Sequence, residues 1–131
     1  MIILDTHIIV WDALQPEKIS KKARKIIDRA NDSGEIIIAD ISLWEIAMLM
    51  KKKRLNVDAT YPEFIRLIRA ANHYAVQPIT PEIADLSVSF SQEVNLDPAD
   101  RLICATSLFL NISLITADSN LIKAKSVETI W

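Results

Sequence analysis

Glycine occurs once in the 131 residues, at Gly34. The Gly-rich loops of dinucleotide and P-loop folds need several glycines for close backbone approach, so the chain does not cradle phosphates in that way. Cysteine also occurs once, at Cys104. That permits no internal disulfide and points to a reducing compartment. Two histidines beside it are too few for a zinc site of the usual kind. No run of about 18 apolar residues is free of charge, so no membrane span is expected. No basic, apolar leader opens the chain. The expected setting is the cytoplasm. Formal net charge is −2, which denies the chain the broad basic footprint of many nucleic-acid binders. A local basic patch beside an acidic, ion-holding pocket remains compatible with that balance.

Half of the residues are hydrophobic, and the length suits one domain over residues 1–131 with a real core. The chain is organised around its opening, Met1-Ile2-Ile3-Leu4-Asp5-Thr6. A short run that is apolar on both faces reads as a buried, central parallel strand. Asp5 then stands at its carboxyl end, where open α/β sheets bind ligands. The bland alternative is an aspartate that merely caps the next turn.

Ile36–Ala39, Val76–Ile79 and Ile112–Thr116 read as further strands, with Val127–Ile130 as a last edge strand. Between them lie helical patterns. Ile8–Leu14 precedes Pro16. Ile19, Ala23, Ile26, Ile27 and Ala30 share one face and end at Asn31-Asp32-Ser33-Gly34. Ser42 to Glu45 has the spacing of a capping box. Leu43, Ile46, Ala47 and Met50 line one face of that helix, and Trp44 with Met48 gives it a second apolar stripe. Tyr61–Tyr74 should be helical with Phe64, Ile65, Leu67, Ile68 and Ala71 inward. Thr80-Pro81 opens a helix marked by Ile83, Leu86, Ser87, Phe90 and Val94. Asp97-Pro98 opens another, Ala99–Leu110, apolar nearly all round and therefore central. A short helix over Asn120–Ala124 follows. Strands alternating with helices give an α/β class with a mainly parallel sheet of four to five strands and right-handed crossovers.

Four acids stand out by position. Asp5 and Asp118 follow short apolar strands. Glu45 and Asp100 fall in the first turns of helices that follow loops. In a parallel sheet these places share one edge. Clustered carboxylates repel, so at neutral pH some must neutralise or hold cations. Oxygen-only ligands suit Mg2+ or Mn2+, one or two ions. Such ions polarise phosphoryl oxygens and lower the pKa of water. The chemistry favoured is hydrolysis of a phosphodiester. Each acid also has a structural reading: Glu45 and Asp100 as cap partners, Asp97 as an N-cap, Asp118 as the end of a strand.

Leu4-Asp5-Thr6, Ser42-Leu43-Trp44-Glu45-Ile46-Ala47, Asp97-Pro98-Ala99-Asp100-Arg101-Leu102-Ile103 and Ile115-Thr116-Ala117-Asp118 resemble, in order and spacing, the four acidic signatures of PIN-domain ribonucleases. The Asp5-Thr6-His7 opening and the compact length are most similar to the VapC-type toxins of toxin–antitoxin pairs. The resemblance implies a three-layer sandwich with helices on both faces of the sheet. It implies an endoribonuclease that uses Mg2+ or Mn2+, with Asp5, Glu45, Asp100 and Asp118 as metal-binding catalytic residues. Thr6 and Thr116 would orient carboxylates, and Asp97 would cap or support. Arg101 would hold a carboxylate or a phosphate, or form a structural ion pair. A homodimer and a cognate antitoxin protein are the implied partners, beside the RNA substrate. Asp40 departs from the pattern, where relatives often carry a small hydroxyl residue. It would either tune the site or sit solvated at a strand end.

Lys51, Lys52, Lys53 and Arg54 could contact RNA phosphates or form a solvated helix end. Trp44 with Met48, and Trp11, are candidates for a partner surface or for the core. His7 is read as a packed loop histidine rather than an acid–base group, and Cys104 and His73 as structural. The competing function is a non-catalytic RNA- or protein-interaction module on the same scaffold; intact acids at all four positions argue against it.

Overall fold

A computed structural model describes residues 1–91 and 96–131. Among these residues five strands form one sheet in the order β3-β2-β1-β4-β5, and every neighbouring pair is parallel. They are β1 (Ile2–Leu4), β2 (Ile36–Ala39), β3 (Tyr74–Gln77), β4 (Ser113–Ile115) and β5 (Thr129–Ile130). The helices among the described residues are α1 (Thr6–Leu14), α2 (Lys21–Ser33), α3 (Asp40–Lys51), α4 (Tyr61–Ala71), α5 (Pro81–Ser89), α6 (Pro98–Leu110) and α7 (Ser119–Ala124).

The opening strand is the centre of the sheet. Strand side chains alternate between faces, so an apolar run serves two cores at once. Ile2 and Leu4 join a core with Ile36, Ile38, Ile8, Ile27, Phe64 and Ile68. Ile3 points the other way, into a core with Leu114, Ile103, Cys104 and Leu121. Helices α1, α2 and α4 thus cover one face, and α6 and α7 the other, which gives the three layers.

Helix ends follow local chemistry. α2 stops at Gly34, whose φ of 69° is the left-handed value that glycine adopts without strain. α6 stops at Asn111 with φ 53°. Thr80 caps α5 ahead of Pro81, as its sequence predicts.

Several boundaries differ from the sequence reading. α4 ends at Ala71, and β3 starts at Tyr74, two residues earlier than expected. Asn72 Nδ2 bonds the Ile68 carbonyl and closes the helix. The β-forming pair Tyr74 and Val76 can then face the core, and Pro78, without an N–H, cannot extend the ladder. Leu67 was expected inward and is 59% exposed. α3 begins at Asp40 with Ala39 as N-cap, so Ser42 and Glu45 are helix interior and form no capping box. α6 is buried from Ile103 through Ser107, but Leu108 and Phe109 are exposed. Val94 lies outside the described residues. No helix among the described residues is long and apolar enough to cross a membrane.

Candidate active site

The carboxyl edge of the sheet carries the acids. β1 ends at Leu4, and Asp5 caps α1 by accepting the Thr6 N–H on Oδ1 at 2.8 Å. The bland reading of Asp5 as a cap is therefore true, but it uses only one oxygen. Oδ2 accepts the Thr116 hydroxyl at 2.7 Å across the sheet. Thr116 Oγ1 in turn accepts the Asp118 N–H at 3.0 Å, so one threonine ties Asp5 to the Asp118 segment. Asp118 caps α7 through Oδ1, which accepts from Asn120 N and Leu121 N.

Glu45 is held from the other side. Thr6 Oγ1 donates to its Oε1 at 2.5 Å and lies 2.9 Å from Ser42 Oγ. With Glu45 ionised, Thr6 uses its only proton on the carboxylate and Ser42 must be the donor to Thr6. Ser42, expected as a cap, is instead fully buried in this relay. Asp97 does cap α6, accepting the Asp100 N–H at 2.8 Å. Asp100 sits in the first turn of α6, as its sequence predicts.

The electrostatics bind these segments together. Burial and then the charges of Asp5, Asp97, Glu45 and Asp118 push Asp100 up to about 7 from the ordinary 3.8. Asp5 is raised by burial, against the lowering influence of His7, Thr116 and Thr6. Glu45 is raised by burial, then by Asp5 and Asp97, while the Thr6 bond lowers it. A half-buried carboxyl that answers to four other acids is a functional-site signal. The donor set is all oxygen, which suits a hard divalent cation in kind. It is not preassembled: among the described residues no three ligating side chains are grouped so as to hold one ion. Charges couple over distances at which a single ion does not yet touch three carboxylates.

The chain matches the PIN domain over residues 2–127. It belongs to the PIN-domain family. Ribonuclease VapC22 of Mycobacterium tuberculosis is 32% identical over 120 residues, which is 92% of this chain and 88% of that one. VapBC2 from Rickettsia felis, solved bound to a DNA fragment from its promoter, superposes with a TM-score of 0.74 at 15% identity, covering 99% of this chain and 98% of that one. A toxin–antitoxin complex from Klebsiella pneumoniae gives 0.69 at 18% identity, covering 100% and 97%. At such identities these two structures speak for the fold.

The other candidates in this PIN domain fall into place around the acids. Asp40 is not fully solvated; its Oδ2 accepts the Ile79 N–H at 3.1 Å and ties the segment after β3 to the start of α3. Arg101 donates from Nε to the Leu96 carbonyl and from Nη1 to the Phe90 carbonyl. Lys51–Arg54 is exposed at the end of α3. Cys104 is buried, its thiol pushed up to about 12 chiefly by desolvation. His73 bonds Asn31 through main chain and ring. Trp11 packs on His7 at 4.9 Å between ring centroids and on Trp131 at 6.0 Å, with Lys18 over its ring.

His7, expected as a packed loop histidine, packs on Trp11 but lies in the first turn of α1, and its ring also reaches the acids. Its Nδ1 lies 3.3 Å from Asp5 Oδ2, and its Nε2 accepts the Ala117 N–H. The available signal was its place two residues after the strand-end acid.

Proposed function

We propose that this PIN domain is a divalent-metal-dependent endoribonuclease and the toxin of a toxin–antitoxin pair, working in the cytoplasm. The observation that carries the reading is Asp100, raised to about 7 by burial together with acids from three other segments of the chain and its own cap. Similarity to a ribonuclease over nine-tenths of the chain supports the substrate class. The fold shared with toxin–antitoxin complexes supports a cognate antitoxin. The family resemblance adds a homodimer.

In this reading Asp5, Glu45, Asp100 and Asp118 would hold Mg2+ or Mn2+. Bound there, the ion would polarise the scissile phosphoryl group and acidify the attacking water. The chain's own work is positional. Thr116 and the Thr6 N–H lock both oxygens of Asp5. Thr6 orients Glu45. Water attacks phosphorus, one P–O bond breaks, and one strand end keeps the phosphate while the other leaves as a hydroxyl.

The test is cleavage of a mixed panel of structured RNAs by purified protein, with Mg2+, with Mn2+ and with EDTA, beside Asp5→Asn. Metal-dependent cutting lost in a folded Asp5→Asn variant is expected. Full activity of that variant would sink the assignment. Folded, antitoxin-free protein that cuts nothing would favour a non-catalytic interaction module.

A further inference from the structure

A second feature borders the acids. A cavity of about 250 Å³ opens along α3, beginning at Glu45 and Asp97 and ending at Lys52 and Arg54. Trp44 and Met48 form its wall between the two ends. Trp44, Met48 and Lys52 are four residues apart each and share one helical face. Trp44 is 55% exposed, although tryptophan is a costly residue to leave in water.

The far end is shaped by the backbone. Lys53 takes a φ of 56°, a left-handed value usually left to glycine or asparagine. Arg54 N and Leu55 N then both donate to the Leu49 carbonyl, at 2.9 and 3.2 Å. The chain doubles back on α3, and Arg54 returns beside Lys52 at the cavity rim.

We propose that this cavity binds the nucleotide next to the scissile phosphate, with an unpaired base stacked on Trp44 and the following phosphate held by Lys52 and Arg54. The proposal rests on the ribonuclease reading and names how that site takes its substrate. The order of groups matches a single strand of RNA: acids for the phosphate being cut, a flat π-face for a base, then cations for the next phosphate. Base–aromatic stacking tolerates sequence because every base has a π-face. A base inside a duplex does not present that face, so this subsite takes an unpaired nucleotide. The cations position the chain without reading its sequence.

The experiment measures binding of a fluorescein-labelled single-stranded RNA and of a matching RNA duplex by anisotropy, in an Asp100→Asn background that silences cutting. Added to that background, Trp44→Ala should weaken single-strand binding about tenfold and leave duplex binding unchanged, while Trp44→Phe keeps most of the affinity. Lys52→Ala with Arg54→Ala should lower the salt slope by about one to two. In otherwise wild-type protein, Trp44→Ala should raise KM for a loop RNA and change kcat little.

Unchanged single-strand binding by Trp44→Ala, in a protein whose parent still cuts with metal, overturns the subsite and leaves the ribonuclease standing. Equal losses for single strand and duplex also overturn it. So does a shift from dimer to monomer with RNA affinity intact, which would make the face a contact between copies. Loss of single-strand binding in a protein that never cuts would keep the subsite and remove the ribonuclease.

Discussion

His7 Nε2 accepts the main-chain N–H of Ala117 at 3.2 Å. A main-chain N–H can only donate, so Nε2 carries no proton and the neutral ring holds its proton on Nδ1. That nitrogen faces Asp5 Oδ2 at 3.3 Å. The imidazole thus links the acid at the end of β1 to the segment that carries Asp118, and Trp11 packs against its ring.

His7→Ala should therefore lower RNA cleavage by about 10- to 100-fold, the usual effect of removing a group that orients a metal-binding carboxylate. The fold should survive, because the residue is partly exposed. Metal titration by calorimetry beside cleavage assays checks the point. Unchanged metal affinity and unchanged cleavage would return His7 to a packing role.

Thr6→Val keeps the shape of a buried side chain and removes a hydroxyl that serves both Ser42 and Glu45. Buried Ser42 and half-buried Glu45 each lose a partner, which costs about 1–3 kcal/mol. The Thr6 bond also holds the Glu45 carboxyl down, so its loss sends that pKa further up. Urea denaturation should show a lower midpoint with an unchanged slope. Thr6→Ser, which keeps the hydroxyl, should recover most of the loss; an unchanged midpoint in Thr6→Val would mean that these hydrogen bonds add nothing to stability.

Much of the architecture can be read from the chain because one physical signal dominates it. Ile2-Ile3-Leu4 is apolar on both faces, and that makes the central strand. The acids could be placed because strand ends and helix starts share an edge whatever the exact boundaries. The boundaries themselves were harder. Ser42 and Glu45 fit a capping box by spacing, yet Asp40 continues β2 straight into α3, so both lie inside the helix. Tyr74 suits a helix end as well as a strand start, and only the closure by Asn72 decides. The threonine and histidine links across the site join residues about 40 to 110 positions apart, and no local pattern announces them.

Asp100 makes the metal-free protein sensitive to pH. Its folded value of about 7 stands above the ordinary 3.8. Between about pH 4 and 7 the unfolded chain has released a proton that the folded chain keeps, so stability falls as pH rises through this window. Asp100→Asn removes the proton and the repulsion together. In EDTA at pH 7.5 it should raise the melting temperature by roughly 3 °C, about 1 kcal/mol once solvent screening of a half-buried group is allowed for. The same variant should gain less than wild type from added Mn2+. A melting temperature that drops in the variant would mean the acids are not in conflict.

Arg101 offers a separation of structure from substrate binding. Its Nε and Nη1 donate to the carbonyls of Leu96 and Phe90. A guanidinium makes two such bonds from one rigid plane, and an ammonium does not. Arg101→Ala should lose about 1–3 kcal/mol of stability through unpaired carbonyls. Arg101→Lys keeps the charge and should still lose most of that amount. If the residue instead serves RNA phosphates, Arg101→Lys would hold both the RNA affinity and its salt slope, Arg101→Ala would lower the slope by about one, and the melting temperature would scarcely move. Thermal unfolding of the three proteins, read beside their binding of one labelled RNA at several salt concentrations, decides between the two roles.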